Sequence, residues 1–192
     1  LSTLLAVGLA HLSADALVHG SAPLRAGLLT LVLLQFLLPG SLLALGMLEL
    51  AQRFTGLNQS NTLLVVTHGL RVFPLLVLVL AGWRGARAGA NRDPIRLFGI
   101  NWFRRQRYLR LPQEWPQLGF IAGLALALIL AELPTTVLVV APGTETAVLR
   151  LYNLMHYGDW GSVAALACAE AFLVLSSMAL ASQVMGRRHA ED

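Results

Sequence analysis

Lysine is missing from this chain: all 14 basic residues are arginine, set against 10 acidic residues. A GC-rich coding sequence accounts for that preference as readily as function does, so it carries no mechanism. Cysteine is nearly missing too. Cys168 stands alone inside an apolar run, which excludes a disulfide framework and a cysteine-based metal site. Charge is scarce at 12%, where soluble domains carry about a quarter. With 56% hydrophobic residues and a mean hydropathy of +0.67, the composition is that of a membrane protein. The sequence pI near 10.2 invites a nucleic-acid reading. The arginines, however, sit at the ends of apolar runs, where cytoplasmic loops concentrate them, so membrane topology explains the charge and nucleic acid is excluded as a partner. No Gly-x-x-x-x-Gly-Lys-Ser/Thr phosphate loop, no His-Glu-x-x-His zinc pair and no Gly-x-Ser-x-Gly elbow occurs, so the sequence points to a non-enzyme that neither hydrolyses ATP nor binds a cofactor or metal itself.

What is present is a series of apolar stretches of spanning length, about 20 residues each. Five are expected: residues 1–18, 26–50, 62–83, 118–140 and 163–185, separated by segments rich in Gly, Pro, Asn and charge. The fold class expected is all-α, a polytopic transmembrane bundle forming one domain over residues 1–192. The chain starts at Leu1 within an apolar stretch and has no charged leader, which suggests the C-terminal portion of a longer protein. Residues 84–117 form a long basic loop and residues 141–162 a loop on the opposite side. Arg25, the eight arginines from Arg84 to Arg110, and Arg187 with Arg188 fall on one side, against Arg53 and Arg150 on the other. This asymmetry places the basic loop and the C-terminus in the cytoplasm.

Within the basic loop, Asp93 can cap a short helix whose first residue is Pro94. That helix can run through Leu97 and Phe98 to Gly99, which tolerates the left-handed conformation that ends helices. Asn101 can cap a second helix carrying Arg104, Arg105, Arg107 and Arg110, with Pro112 stopping it. A helix, a glycine elbow and a cationic helix suit docking better than catalysis.

The spans contain polar exceptions. Pro39-Gly40 lies midway along residues 26–50, where a kink or break is expected, either as packing or as a flexible gate. His68 and Arg71 share a helix face, and Glu132 and Glu170 come to a similar depth, so an intramembrane cluster of His68, Arg71, Glu132 and Glu170 is expected. It serves either as a tie between helices or as a polar lining of a path. His11 and Asp15, one turn apart, are too few for a metal site and predict an interhelix hydrogen bond. Tyr152, Tyr157 and Trp160 suit an interfacial aromatic belt.

The order of several segments resembles the permease subunits of binding-protein-dependent ABC importers, particularly the iron(III) and thiamine branch. Gly99 is followed by nine residues and then Leu109-Arg110-Leu111-Pro112, matching the Gly, nine residues, aliphatic-x-Leu-Pro spacing of their cytoplasmic coupling segment. Asp93, Pro94 and Ile95 occupy its Glu-Ala-Ala positions, keeping the acid in shortened form and losing both alanines. Leu38-Pro39-Gly40, Arg71-Val72-Phe73-Pro74, Glu132-Leu133-Pro134-Thr135-Thr136, and Pro142-Gly143-Thr144-Glu145-Thr146 leading to Arg150–Gly158 follow in the family's order, over nearly the whole chain. The resemblance implies a MetI-like permease fold in the bacterial inner membrane. It implies as partners two cytoplasmic ABC ATPase subunits that use the ATP, a second permease domain, a periplasmic solute-binding protein and the lipid bilayer. Docking then falls to Asp93, Leu97, Phe98 and Gly99, flanked by Arg104 and Arg105, although topology and attraction to anionic lipid explain those arginines equally well. Arg150, His156 and Asp159 face the binding protein's side. The implied substrate is iron(III), with thiamine or a phosphonate as alternatives. The competing expectation is a noncatalytic membrane scaffold whose basic loop docks another partner.

Overall fold

The computed structural model describes residues 1–54, 60–88, 104 and 106–189, and every regular element among them is helical. The helices are α1 (Ser2–His19), α2 (Ala22–Leu37), α3 (Gly40–Gln52), α4 (Asn61–Ala88), α5 (Leu111–Leu130), α6 (Leu133–Val139), α7 (Ala147–His156) and α8 (Trp160–His189), with a π turn over Gln106–Arg110 leading into α5. Four of them are long and apolar enough to cross a membrane: α1, α4, α5 and α8. A fifth crossing is available if α2 and α3, bent by 105° at their junction, count as one broken span. Five spans were expected; four unbroken ones are present, and the fifth, residues 26–50, is reached only as the bent pair, so among the described residues the chain is all-helical with the build of a membrane protein.

The axis of the bundle is α4. Leu76, Val77 and Leu80 are fully or almost fully buried along it, and α1, α2, α3, α5 and α6 all pack against it. In lipid the surrounding tails are as apolar as leucine, so helices associate by close approach of small residues rather than by leaving water. Accordingly α1 presents Ala6, Ala10 and Ala14, each completely buried and four residues apart, in the shared core with α4. On the far side of α5, Gly123 faces Ser177 and Met178 of α8. Trp83 of α4 and Phe120 of α5 meet with ring centroids 5.5 Å apart. Large apolar side chains stay exposed around the periphery, among them Leu31, Leu34 and Leu37 on α2 and Phe172 and Leu175 on α8. Cys168 is exposed on α8 as well.

Two expected spans are interrupted. Residues 26–50 do not kink but break: α2 ends at Leu37, and α3 restarts at Gly40 in a new direction. Residues 118–140 also divide, because α5 stops at Leu130 and α6 begins at Leu133 with Pro134 in its first turn. Pro112 does not end a helix. It occupies the first turn of α5, where a residue without an N–H loses nothing. The segment 141–162, expected as a loop, contains the amphipathic helix α7. Thr146 caps it by accepting from Leu149 N (3.3 Å), and Gly158 closes it at φ 74°, a left-handed conformation suited to glycine.

Candidate functional site at two helix breaks

Backbone groups freed at a proline or a helix break need partners from elsewhere in a bilayer, and side chains of neighbouring elements supply several of them here. Pro74 has no N–H, so the Leu70 carbonyl one turn earlier in α4 loses its helical donor. Gln35 of α2 supplies one: its Nε2 donates to Leu70 O at 2.8 Å. Leu38, just beyond α2, carries a carbonyl at a helix C-terminus, where a cation is favoured. Arg71 Nη1 donates to it at 3.3 Å.

The same guanidinium joins the second break. Arg71 Nε donates to Glu132 Oε1 at 3.3 Å, with the two side chains 27% and 18% exposed. Glu132 is the residue before α6, and its Oε1 also accepts from Thr135 Oγ1 at 2.6 Å. Thr136 Oγ1 donates to the Glu132 carbonyl at 2.5 Å. Thr136 Oγ1 also lies 2.9 Å from His68 Nε2, within hydrogen-bonding distance.

Gly40 lets the two breaks touch. A Cβ there would collide with the Glu132 carboxylate, lie 2.6 Å from Thr135 Oγ1 and 3.2 Å from Arg71 Nε. The Glu132 carboxylate therefore occupies the space at the N-terminus of α3, where the helix dipole favours negative charge. Arg71, Glu132, Thr135, Thr136, His68 and the Leu38 carbonyl form one polar knot at the middle of the bundle. Beside it, an open cleft of about 400 Å3 runs between α1, α2 and α4, with Leu17, Leu28, Val32 and Phe73 in its wall and only Ser13 and Gln35 as polar residues. The polar chemistry lies in the knot, not in that cleft.

Of the expected cluster, His68, Arg71 and Glu132 come together, and Pro39 and Gly40 lie at the break beside them. Glu170 does not join. It stands on α8, and its buried Oε1 has no hydrogen-bond partner among the described residues. Arg104 is exposed. Asp93, Leu97, Phe98, Gly99 and Arg105 lie outside the described residues.

A second ionic network ties α1, α4 and α5 together at the end of the bundle that bears the basic loop. Arg84 is only 7% exposed and uses all three nitrogens. Nε and Nη2 grip Glu114 at 2.9 and 2.5 Å, while Nη1 donates to His11 O and Nη2 to His11 Nδ1, both at 2.8 Å. Arg110, 8% exposed, is paired with Asp15, which lies 3.8 Å from His19 Nε2. The interhelix bonding expected of His11 and Asp15 is therefore realised, with partners that the sequence had placed in a loop. Their signal was faint: α4 continues one turn past Trp83 and carries Arg84 into the bundle, and the π turn directs Arg110 inward while Arg107 and Tyr108 remain exposed.

Among the described residues no group of three or more His, Cys, Asp or Glu side chains is placed to hold a metal ion. Comparison of the chain with protein-family models, curated proteins and solved structures gives no match.

Proposed function

We propose that this chain is a membrane-embedded permease subunit of an ATP-driven importer, with the polar knot as its gate. The observation that carries this reading is the meeting of two discontinuous helices at Arg71 and Glu132. Broken helices at membrane depth are tolerated where they are buried in protein or line a cavity, and transporters use such breaks for alternating access. Here the ion pair and Gly40 hold the breaks together, and parting them opens a route beside α4. The arginine asymmetry supports a cytoplasmic basic loop, and the resemblance gives that loop its partner, an ATPase docked on Asp93, Leu97, Phe98 and Gly99. The helical framework that carries movement from the loop is the α1–α4–α5 end held by Arg84 and Glu114. The cargo arrives from an external binding protein. By the same resemblance it is iron(III), with thiamine and phosphonates as the alternatives.

The test cross-links a Phe98→Cys variant in a Cys168→Ala background in native membranes and identifies the captured protein by mass spectrometry. Capture of an ATPase with a phosphate loop, lost on Gly99→Val, is the expected result. Capture of a protein without ATPase activity, together with uptake indifferent to Glu132→Gln, would replace the permease by a scaffold.

A further inference from the structure

The segment leading into α5 has two faces of opposite character. Inward, Arg110, Gln117 and Leu118 are each no more than 8% exposed, and Glu114 is bound to Arg84. Outward, Tyr108 is 68%, Trp115 65% and Leu111 39% exposed, and Arg104 and Arg107 are exposed with them. Arg104 precedes the π turn that carries Arg107 and Tyr108, and Leu111 and Trp115, one helical turn apart, follow on one face of α5. Arg107 lies over the Tyr108 ring, its Cζ 5.8 Å from the centroid. Among the described residues neither Arg104 nor Arg107 is paired with a carboxylate. At about 1.5 Å per residue, Tyr108 to Trp115 extends roughly 10 Å along the axis, the depth of the boundary between headgroups and acyl chains.

We infer that this face is a binding surface for an anionic phospholipid: Arg104 and Arg107 hold the phosphate-bearing headgroup, and Tyr108, Leu111 and Trp115 lie along the upper acyl chain. Charge complementarity selects this occupant. Two cations without carboxylate partners among the described residues stand at the mouth of a span, above a tyrosine and a tryptophan whose amphipathic rings prefer the interface. A protein partner binding by the same charges would be expected to cover the aromatic ladder, whereas a lipid uses the ladder and the cations together. Arg104 is thereby assigned to the membrane rather than to an ATPase, and the assignment holds whether or not the chain is a permease. Two arginines near the surface correspond to about a 30-fold preference for anionic over zwitterionic lipid, the equivalent of about 2 kcal/mol.

The experiment uses the full chain with Trp83, Trp102 and Trp160 replaced by Phe, leaving Trp115 as the sole indole, in phosphatidylcholine vesicles doped with brominated lipid. The expected result is stronger quenching by brominated phosphatidylglycerol than by an equal fraction of brominated phosphatidylcholine. Arg104→Gln with Arg107→Gln should abolish the difference, and the paired Lys variants should keep it. Equal quenching by both lipids in the unsubstituted arginine background reduces the face to ordinary bilayer contact and overturns the headgroup site. Absence of quenching by either lipid shows that protein covers Trp115 and overturns it as well.

Discussion

Removing the Glu114 carboxylate while leaving Arg84 in place should cost this bundle about 3 kcal/mol. Arg84 is 7% exposed, and the Glu114 side chain is 13% exposed, so neither charge can turn to water. Breaking a buried ion pair from one side costs about 3–5 kcal/mol, because a desolvated charge is left behind. Glu114→Gln falls at the lower end of that range. Gln keeps the volume and one acceptor, and Arg84 retains its 2.8 Å bonds to His11 O and Nδ1. About 3 kcal/mol corresponds to roughly two orders of magnitude in the folding equilibrium. The double variant Arg84→Met with Glu114→Leu should recover most of the loss and lie about 1 kcal/mol below the parent, since two hydrophobes of similar size replace the pair while His11 loses its contacts to both Arg84 and Glu114. Equilibrium unfolding in mixed detergent–lipid micelles measures both. A Gln variant within about 0.5 kcal/mol of the parent, the usual scatter of a surface change, would refute the network as described. A double variant as weak as the single would show that packing, not charge burial, is responsible.

Three further outcomes follow from the geometry. Gly40→Ala should push the Glu132 carboxylate and Thr135 aside and destabilise the protein by about 1–3 kcal/mol as overpacking does; an unchanged melting temperature would contradict the close approach. Pro74→Ala restores an N–H for Leu70 O, so Gln35→Leu should cost less in that background than in the parent, with a double-mutant coupling of at least about 0.5 kcal/mol. Asp159, ahead of α8, accepts from Ser162, whose hydrogen bonds hold its carboxyl below the usual 3.8. Because the folded value is the lower one, its contribution is present above pH 3.8 and is lost as pH falls through the folded value, so the protection of the amides at 160–163, relative to their intrinsic exchange, should fall there and Asp159→Asn should flatten that dependence.

The polar knot was legible because charges inside apolar runs are conspicuous: Arg71 and Glu132 had to face inward, and their depths could be counted along the helices. Glu170 was equally conspicuous, but depth does not specify azimuth. Its helix docks on α5 through Gly123, and Glu170 is left without a bond to the knot. The break before α6 had a signal in Glu132-Leu133-Pro134, since proline in a first turn marks a helix start, yet the continuous apolar run concealed it. Arg84 and Arg110 were hidden by a different ambiguity. Arginine at the end of a span reads as a solvated flank until the helix end is known to within a turn, and a π turn alters the register without any composition of its own. The elements along the chain were therefore more readable than which side of each element faced inward.

The partners of Arg71 are separated widely along the chain, and chains are made from the amino terminus. Leu38, whose carbonyl takes Nη1, precedes it by 33 positions, whereas Glu132 follows by 61. At about 5–20 residues per second, the arginine is synthesised roughly 3–12 s before its carboxylate exists. During that interval the Leu38 carbonyl is the acceptor already available to it. Of the two acceptors that hold this arginine, the Leu38 carbonyl is thus the one made before it and the Glu132 carboxylate the one made after, so the knot is complete only once both helix breaks have been synthesised.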